Sequence, residues 1–403
     1  MHGLHVAMVV LAWGIAVAWL TRLAEAATGF PKLPHLLRPE FDTTPEGAPR
    51  IAVIVPARNE AANIRSCVES LLRQDYARLC VFAVDDRSTD ATGVLLNELA
   101  MANTGDRLCV LHVAELPTGW LGKTHAMALA AGAAIESYHP DYLLFTDADI
   151  DFAPDAIRRS LVAAVRGRAD HFVTLPTTLA KSGGEAVVLS FLQLIGMWAV
   201  RTWRVSDAKA RRDAIGVGAF NLLRADVYLQ IGGFEALRME VLEDLTLGRA
   251  VKAAGFQQQV GVAPGLVSVH WAAGVRGIIR GLTKNFFSVF QYRIGLLLLA
   301  ALGITVLCIG PAILLAVPAA RLAALLAWAA AAGLYAISSR VSRLPPWCPF
   351  FLPVAAALVV YAMLRSLLVT LARGGVIWRD TFYPLQELRR RRRSRGAGVS
   401  SMK

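Results

Sequence analysis

Several kinds of chemistry are missing from this chain of 403 residues. Its five cysteines, Cys67, Cys80, Cys109, Cys308 and Cys348, are odd in number and dispersed, with no CxxC pair and no Cys/His cluster. That spacing excludes a disulfide framework and a zinc site, and an isolated cysteine in a strand-like run reads as a small buried apolar residue. No Ser-His-Asp or Cys-His arrangement is legible, so a covalent nucleophile is not expected. The first polar loop, Pro56-Ala57-Arg58-Asn59-Glu60, contains no glycine. No internal repeat is visible. The formal charge is +12, but the basic residues are not interleaved with a stacking motif, which argues against nucleic acid as a partner.

Apolar sequence, by contrast, is abundant. A hydrophobic fraction of 55% and a mean hydropathy of +0.48 exceed those of an ordinary soluble protein. The excess lies at the two ends. Residues 6–20 are apolar and uncharged, and with their flanks reach the length of a membrane span. Ala24-Glu25-Ala26 resembles a signal-peptide cleavage site, but no Lys or Arg precedes the apolar run, so an uncleaved anchor is favoured. Residues 28–50 carry five prolines and read as a linker. Three hydrophobic segments, 294–317, 322–337 and 351–371, close the chain. They precede the basic run 389–393, a contact for anionic lipid or solvent.

The middle alternates between strand and helix. Strands are expected at 51–55, 79–84, 108–113 and 142–146, with helices at 60–73, 90–102 and 122–137. This order predicts an α/β fold with a mainly parallel sheet, whose ligands sit beyond the C-terminal ends of the strands. The polar clusters fall there: residues 56–60 after the first strand, Asp85-Asp86-Arg87-Ser88-Thr89-Asp90 after the second, and Asp147-Ala148-Asp149-Ile150-Asp151 after the fourth. Read as a strand end, the last cluster places Asp147 and Asp149 on one face. Such an oxygen-only, dianionic pair suits Mg²⁺ or Mn²⁺, with water and substrate phosphates completing the shell. A solvated turn is the bland alternative. Residues 187–205 are apolar, but Gln193 interrupts them and aromatics and arginines gather at one end. A helix lying against the membrane or the core is preferred there over another span. Gly216 and Gly218 suggest close approach of a substrate. His125 reads as a satisfied helix residue, and His270 and Trp271 as packing.

These residues, in this order, resemble membrane-anchored family 2 glycosyltransferases with a GT-A catalytic domain, including ceramide glucosyltransferase-like members. The segments Gly119-Trp120-Leu121-Gly122-Lys123, Asp147-Ala148-Asp149 and Gly374-Gly375-Val376-Ile377-Trp378-Arg379-Asp380 look most like the hopanoid-biosynthesis-associated branch. The resemblance implies nucleotide contacts from Pro56, Arg58, Asn59, Glu60, Asp86 and Asp147, and diphosphate contact from Lys123. It also implies a metal, Mg²⁺ or Mn²⁺, on Asp149, and a catalytic base at Asp244 of the Glu243-Asp244 pair. Processive members carry Q-x-x-R-W and the ceramide branch R-x-x-R-W after that pair. Here the region reads Arg280-Gly281-Leu282-Thr283-Lys284-Asn285 without the tryptophan. Processive polymerisation is thus disfavoured, and Glu243, Arg280 and Lys284 remain as acceptor-side candidates.

The implied organisation is an anchor at 1–27, a linker at 28–50, a catalytic domain at 51–293, membrane segments at 294–375 and a basic tail at 376–403. The implied function is metal-assisted, inverting transfer from a nucleotide sugar to a lipid acceptor, such as a hopanoid, at the bacterial inner membrane. Nucleotidyl transfer and a non-catalytic membrane scaffold are the alternatives. With the N-terminus outside and residues 30–290 in the cytoplasm, Arg22, Lys32 and Arg38 obey the positive-inside rule. Three full C-terminal spans would then put residues 389–393 outside, against that rule. One segment, 322–337 or its neighbour, is therefore expected to be re-entrant or interfacial.

Overall fold

The computed structural model describes residues 2–103, 105–378 and 381–389. Residues 390–393 of the basic run, and Arg379 and Asp380, lie outside that set. A long helix α1 (His2–Gly29) leads into the α/β domain. Its elements are β1 (Ile51–Ala57), α2 (Ile64–Leu72), β2 (Leu79–Asp86), α3 (Thr92–Ala102), β3 (Leu108–Val113), α4 (Gly122–Ser137), β4 (Tyr142–Phe145), β5 (Ile150–Phe152), α5 (Ala156–Arg166), β6 (His171–Leu175), β7 (Thr177–Thr178), α6 (Gly183–Ala199), β8 (Asn221–Arg224), α7 (Ala225–Gln230), α8 (Glu243–Ala253), β9 (Gln258–Val262) and β10 (Val267–Val269). The apolar C-terminal part comprises α9 (Gly274–Val289), α10 (Ile294–Ile304), α11 (Gly310–Leu314), α12 (Arg321–Ser342) and α13 (Leu352–Arg373). A hairpin of β11 (Gly375–Trp378) and β12 (Thr381–Pro384) follows.

The main sheet runs β3-β2-β1-β4-β8-β6-β9. It is a mixed sheet, because β8 pairs antiparallel with both β4 and β6 while the remaining ladders are parallel. Strand β1 is buried on both faces, as its continuous apolar run requires. Val53 and Val55 pack under α2, α3 and α5. Ala52 and Ile54 pack under α4, α7 and α8. A buried trio stitches β6, β8 and β9 together. The His171 Nε2–H donates to Asn221 Oδ1 at 2.6 Å, and Gln258 Nε2 donates to His171 Nδ1 at 2.8 Å. Burial lowers the His171 pKa to about 4 and keeps the ring neutral. Within residues 28–50, the Leu36 N–H donates to Val262 O and the Val262 N–H to Pro34 O, so this stretch docks on the edge strand β9.

Two helices start later than the sequence pattern indicates. The residues before α2 and α3, 60–63 and 90–91, are engaged in the loops described below. Five helices among the described residues are long and apolar enough to cross a membrane: Gly3–Lys32, Gly183–Arg204, Ile294–Leu314, Pro318–Ser339 and Cys348–Arg373. The second has half of its apolar window buried within the protein, and Gln193 Nε2 donates to Ser338 O of α12 at 2.7 Å. Glu185 starts that helix in a Ser-x-x-Glu box: Ser182 Oγ accepts from the Glu185 N–H, and the Glu185 carboxylate accepts from Lys181 N–H. The same carboxylate accepts from the Gly274 N–H at 2.6 Å, tying the start of α6 to the start of α9.

Candidate active site

Five loops and helix starts meet at the C-terminal edge of the sheet. β4 stops at Phe145, so Asp147 and Asp149 sit in the turn between β4 and β5. They are not on a strand, and alternation of side chains is not what brings them together. The turn is held by backbone bonds: the Asp147 N–H donates to Gly218 O at 2.9 Å, and the thiol of buried Cys67 donates to Asp147 O at 3.6 Å. The Gly218 N–H in turn donates to Asp244 Oδ2 at 2.9 Å. Residues 216–218 therefore bridge the Asp147–Asp149 turn to the start of α8.

That bridge explains its glycines. A Cβ on Gly218 would collide with the Asp147 carboxylate, and one on Gly216 with the backbone carbonyl of Asp244. Both glycines serve packing of the protein on itself, which corrects the expectation of close substrate approach. Gln258 Nε2 also donates to Gly248 O of α8 at 2.7 Å, so the buried trio braces the helix that carries Asp244.

Lys123, in the first turn of α4, has its Nζ 2.5 Å from Asp147 Oδ1 and 2.5 Å from Glu243 Oε1. A lysine at a helix N-terminus opposes the helix dipole, and here two carboxylates compensate it. Glu243 is thus held beside the Asp147–Asp149 turn. The carboxylates outnumber the lysine, and burial raises the cost of each charge. Asp149 is pushed up to about 7, by burial first, then by the charges of Asp147 and Glu60. Asp244 is pushed up to about 7, by burial first and then by Glu243, against the opposing pull of Lys123 and the Leu245 N–H. The helix N-terminus does not win at this position.

The first two loops are zipped together. The Asn59 N–H donates to Ser88 Oγ, Asn59 Oδ1 accepts from the Thr89 N–H at 2.8 Å, and the Glu60 N–H donates to Thr92 Oγ1 at 2.8 Å. Asp86 is fully buried, and Arg87 holds its carboxylate through Nε at 2.8 Å and Nη2 at 3.2 Å. Arg58 has a buried Nε with no hydrogen-bond partner. Pro56 lies within β1 and not in the loop: it is buried and pairs with Val84 of β2. β4 has already ended beside it, so its missing N–H breaks no ladder bond there. Arg280 and Lys284 are exposed on α9, whose buried face is Ile278, Leu282 and Phe287. Among the described residues no ion pair joins them to the carboxylates.

Two features escape a reading by motif. The Tyr383 hydroxyl, on β12, lies near the Gly122 N–H at the start of α4, with Arg87 and Asp86 in its surroundings. The side chain is buried, so the C-terminal hairpin closes over this edge of the site. His125, expected to be satisfied, has a buried Nδ1 without a partner and stands edge-on to Trp120 at 5.4 Å. Burial lowers its pKa.

Among the described residues no group of three or more His, Cys, Asp or Glu side chains is arranged to hold a metal ion. Two carboxylates do converge, with uncompensated negative charge that raises Asp149. A hard cation that keeps its other positions for water and phosphate fits that donor set.

Residues 49–274 match the family described as glycosyltransferase like family 2, and the chain belongs to that family. Its α/β domain has the GT-A architecture. The curated relative 4,4'-diaponeurosporenoate glycosyltransferase of Staphylococcus haemolyticus (strain JCSC1435) is 23% identical over 252 residues, covering 61% of this chain and 64% of the relative. The enzyme of the same name from Staphylococcus aureus (strain MRSA252) is 24% identical over 209 residues, half of each chain. The match thus spans between half and two thirds of these relatives. Mannosyltransferase PcManGT from Pyrobaculum calidifontis, solved with GDP-Man and Mn²⁺, shares the fold. The TM-score is 0.52 at 19% identity, covering 91% of this chain and 98% of that one.

Proposed function

We propose that this chain is a membrane glycosyltransferase that moves a sugar from a nucleoside-diphosphate sugar to a hydroxyl of a lipid, with inversion at the anomeric carbon. The observation that carries the reading is Lys123, which draws the Asp147 and Glu243 carboxylates onto one cation and so sets the donor-side turn beside the start of α8. Asp244 takes the proton of the acceptor hydroxyl; the freed oxygen attacks the anomeric carbon; the bond from that carbon to the diphosphate breaks, and the nucleoside diphosphate leaves with the electron pair. Asp244 Oδ1 and Oδ2 each accept one backbone N–H, from Leu245 at 2.7 Å and Gly218 at 2.9 Å. Each oxygen keeps a lone pair for that proton, and a pKa near 7 suits a base at neutral pH.

Arg58, Asn59, Glu60 and Asp86 line the nucleotide end, with Tyr383 closing it, and Lys123 is released to the diphosphate when donor binds. Mg²⁺ or Mn²⁺ held by Asp149, with Asp147 alongside, would neutralise charge on the leaving diphosphate. Five apolar helices around the domain and relatives named for 4,4'-diaponeurosporenoate support a lipid acceptor. A hydroxylated hopanoid is the acceptor we favour, on the resemblance of the Gly119–Lys123, Asp147–Asp149 and C-terminal segments. The chain would sit in the bacterial inner membrane, its catalytic domain in the cytoplasm where nucleotide sugars are made.

The test is purified enzyme with a panel of nucleotide sugars and a lipid extract, read by mass spectrometry. A glycolipid whose mass exceeds that of an extract lipid by one sugar is expected. Asp149→Asn should lose most of that activity, because one anionic ligand is gone. Full activity in excess EDTA would sink the metal assignment.

A further inference from the structure

One stretch of the chain carries charge of a single sign. Residues 245–379 contain twelve Lys and Arg and no Asp or Glu. Three of these cations, Arg276, Arg280 and Lys284, follow one another at intervals of four residues on α9 and so share a face of that helix. All three are exposed, and among the described residues none of them has an ion pair or a side-chain hydrogen bond. Like charges at that spacing repel and weaken a helix, and a solvated face ordinarily intersperses acids with its bases. From α9 to α13 there is no acid to do so. The opposite face of α9, with Ile278, Leu282 and Phe287, is buried, and the Phe287 N–H donates to Ser366 Oγ of α13 at 3.0 Å. That partner is one of the helices long and apolar enough to cross a membrane. α10 follows at Ile294, where Leu296, Leu298 and Leu299 stand exposed as a surface for hydrocarbon. Before α9, Trp271 is exposed, and a Cβ on Gly281 would touch its ring at 3.7 Å. Tryptophan is enriched at the headgroup level of a bilayer. The cation row thus lies on a helix flanked by that marker at one end and by a lipid-facing helix at the other.

We propose that this face of α9 binds anionic phospholipid, with Arg276, Arg280 and Lys284 holding headgroup phosphates at the level where α10 enters the hydrocarbon. A basic row on an amphipathic helix is drawn to a negatively charged leaflet, and the anions that the chain itself does not supply are then supplied by the membrane. Each cation near such a surface is worth about fivefold in affinity. The surface takes this partner whether or not a lipid accepts the sugar.

The experiment uses the full chain in phosphatidylcholine nanodiscs that carry a trace of phosphatidylglycerol with a diazirine on its headgroup. After irradiation, label should map to residues 272–293. Unlabelled phosphatidylglycerol should compete it away, whereas further phosphatidylcholine should not, and added salt should weaken the labelling. The triple variant Arg276→Gln, Arg280→Gln, Lys284→Gln should label about a hundredfold less in that segment, at about fivefold per cation. Arg276→Lys with Arg280→Lys keeps the charges and should label like the parent. Thermal melts show that each variant is folded. Equal competition by phosphatidylcholine, or unchanged labelling of the triple variant, means that α9 touches lipid without selecting its charge and overturns the proposal. Competition by UDP or GDP with Mg²⁺ would instead assign the three cations to the donor site, and would overturn it as well. Selective labelling in a chain that transfers sugar to no lipid would sink the functional reading and leave the surface standing.

Discussion

Asp244 shows how a single carboxylate is tuned by opposing effects. Its place in the first turn of α8 favours the charged form. Burial and Glu243 oppose this, and they prevail, lifting the group to about 7. The sign for catalysis follows. Below that pKa Asp244 carries a proton and cannot accept another; above it the carboxylate is free. With metal saturating, so that Asp149, also near 7, is held ionised, the rate of transfer should therefore rise tenfold per pH unit on the acid side and level off above about 7, as read from a kcat/KM profile. Asp244→Asn should cost about 10²- to 10⁴-fold in turnover and abolish that limb under the same conditions. The substitution is not silent for the backbone. Both carboxylate oxygens accept an N–H, from Leu245 and Gly218, whereas an amide offers one oxygen and turns an NH₂ toward the other donor. Nucleoside-diphosphate affinity is thus the necessary companion measurement. Turnover lost with affinity retained supports a base, while loss of both would make Asp244 a structural residue of the donor site.

At the level of elements, what could be read from the sequence was local. The strand at 108–113 and the helix at 122–137 are found at those bounds, because apolar runs and a helix start need only neighbouring residues. The polar clusters at the strand ends were legible for the same reason, and the fold gathers most of them at one edge. The missed features depend on partners distant in sequence. Gly216 and Gly218 are small because of Asp244 and Asp147, Glu185 bonds Gly274, and Tyr383 reaches Gly122 from the other end of the chain. Pro56 reads as a loop residue because nothing local reveals that β4 ends before it. The glycine bridge gives a prediction at this scale. Gly216→Ala pushes a methyl into the Asp244 carbonyl, which is backbone and cannot swing away, so α8 must shift. A misplacement of about 1 Å can cost about 10²-fold in rate, and that loss is expected with the protein still folded by thermal melt. Gly132→Ala on α4, where a Cβ meets nothing within 4 Å, is the control and should leave turnover unchanged.

For the molecule as a whole, the contacts give an expectation of which ends share a side. α1 arrives at the catalytic domain, with Gly29 against Trp203. α12 also ends there: Thr177 Oγ1 donates to Val341 O, and Arg343 Nη2 donates to Pro264 O at 3.3 Å. The chain then turns back along α12, where Tyr335 Oη donates to Pro345 O at 2.7 Å and Trp328 Nε1 to Pro349 O at 2.9 Å. Irregular backbone at membrane depth is tolerated only when its polar groups are satisfied inside the protein. Here the prolines bring no N–H, and those two carbonyls are taken by aromatic side chains. α13 therefore starts partway along α12 and returns toward the catalytic domain, where Tyr383 lies near Gly122, while Arg389 Nη2 donates to Tyr292 O in the turn after α9 at 2.9 Å. A segment that begins and ends on the same face does not change sides. α13 is then expected to be the re-entrant member of the three, the neighbour of 322–337, which would leave Arg389 on the side of the catalytic domain, in keeping with positive-inside. Alkaline phosphatase fused after residue 260 and after residue 389 should be inactive at both positions, and active after residue 317, between α11 and α12. Activity at 389 with none at 260 would mean that α13 crosses, and the contacts at Arg343 and Tyr383 could not then coexist in the membrane.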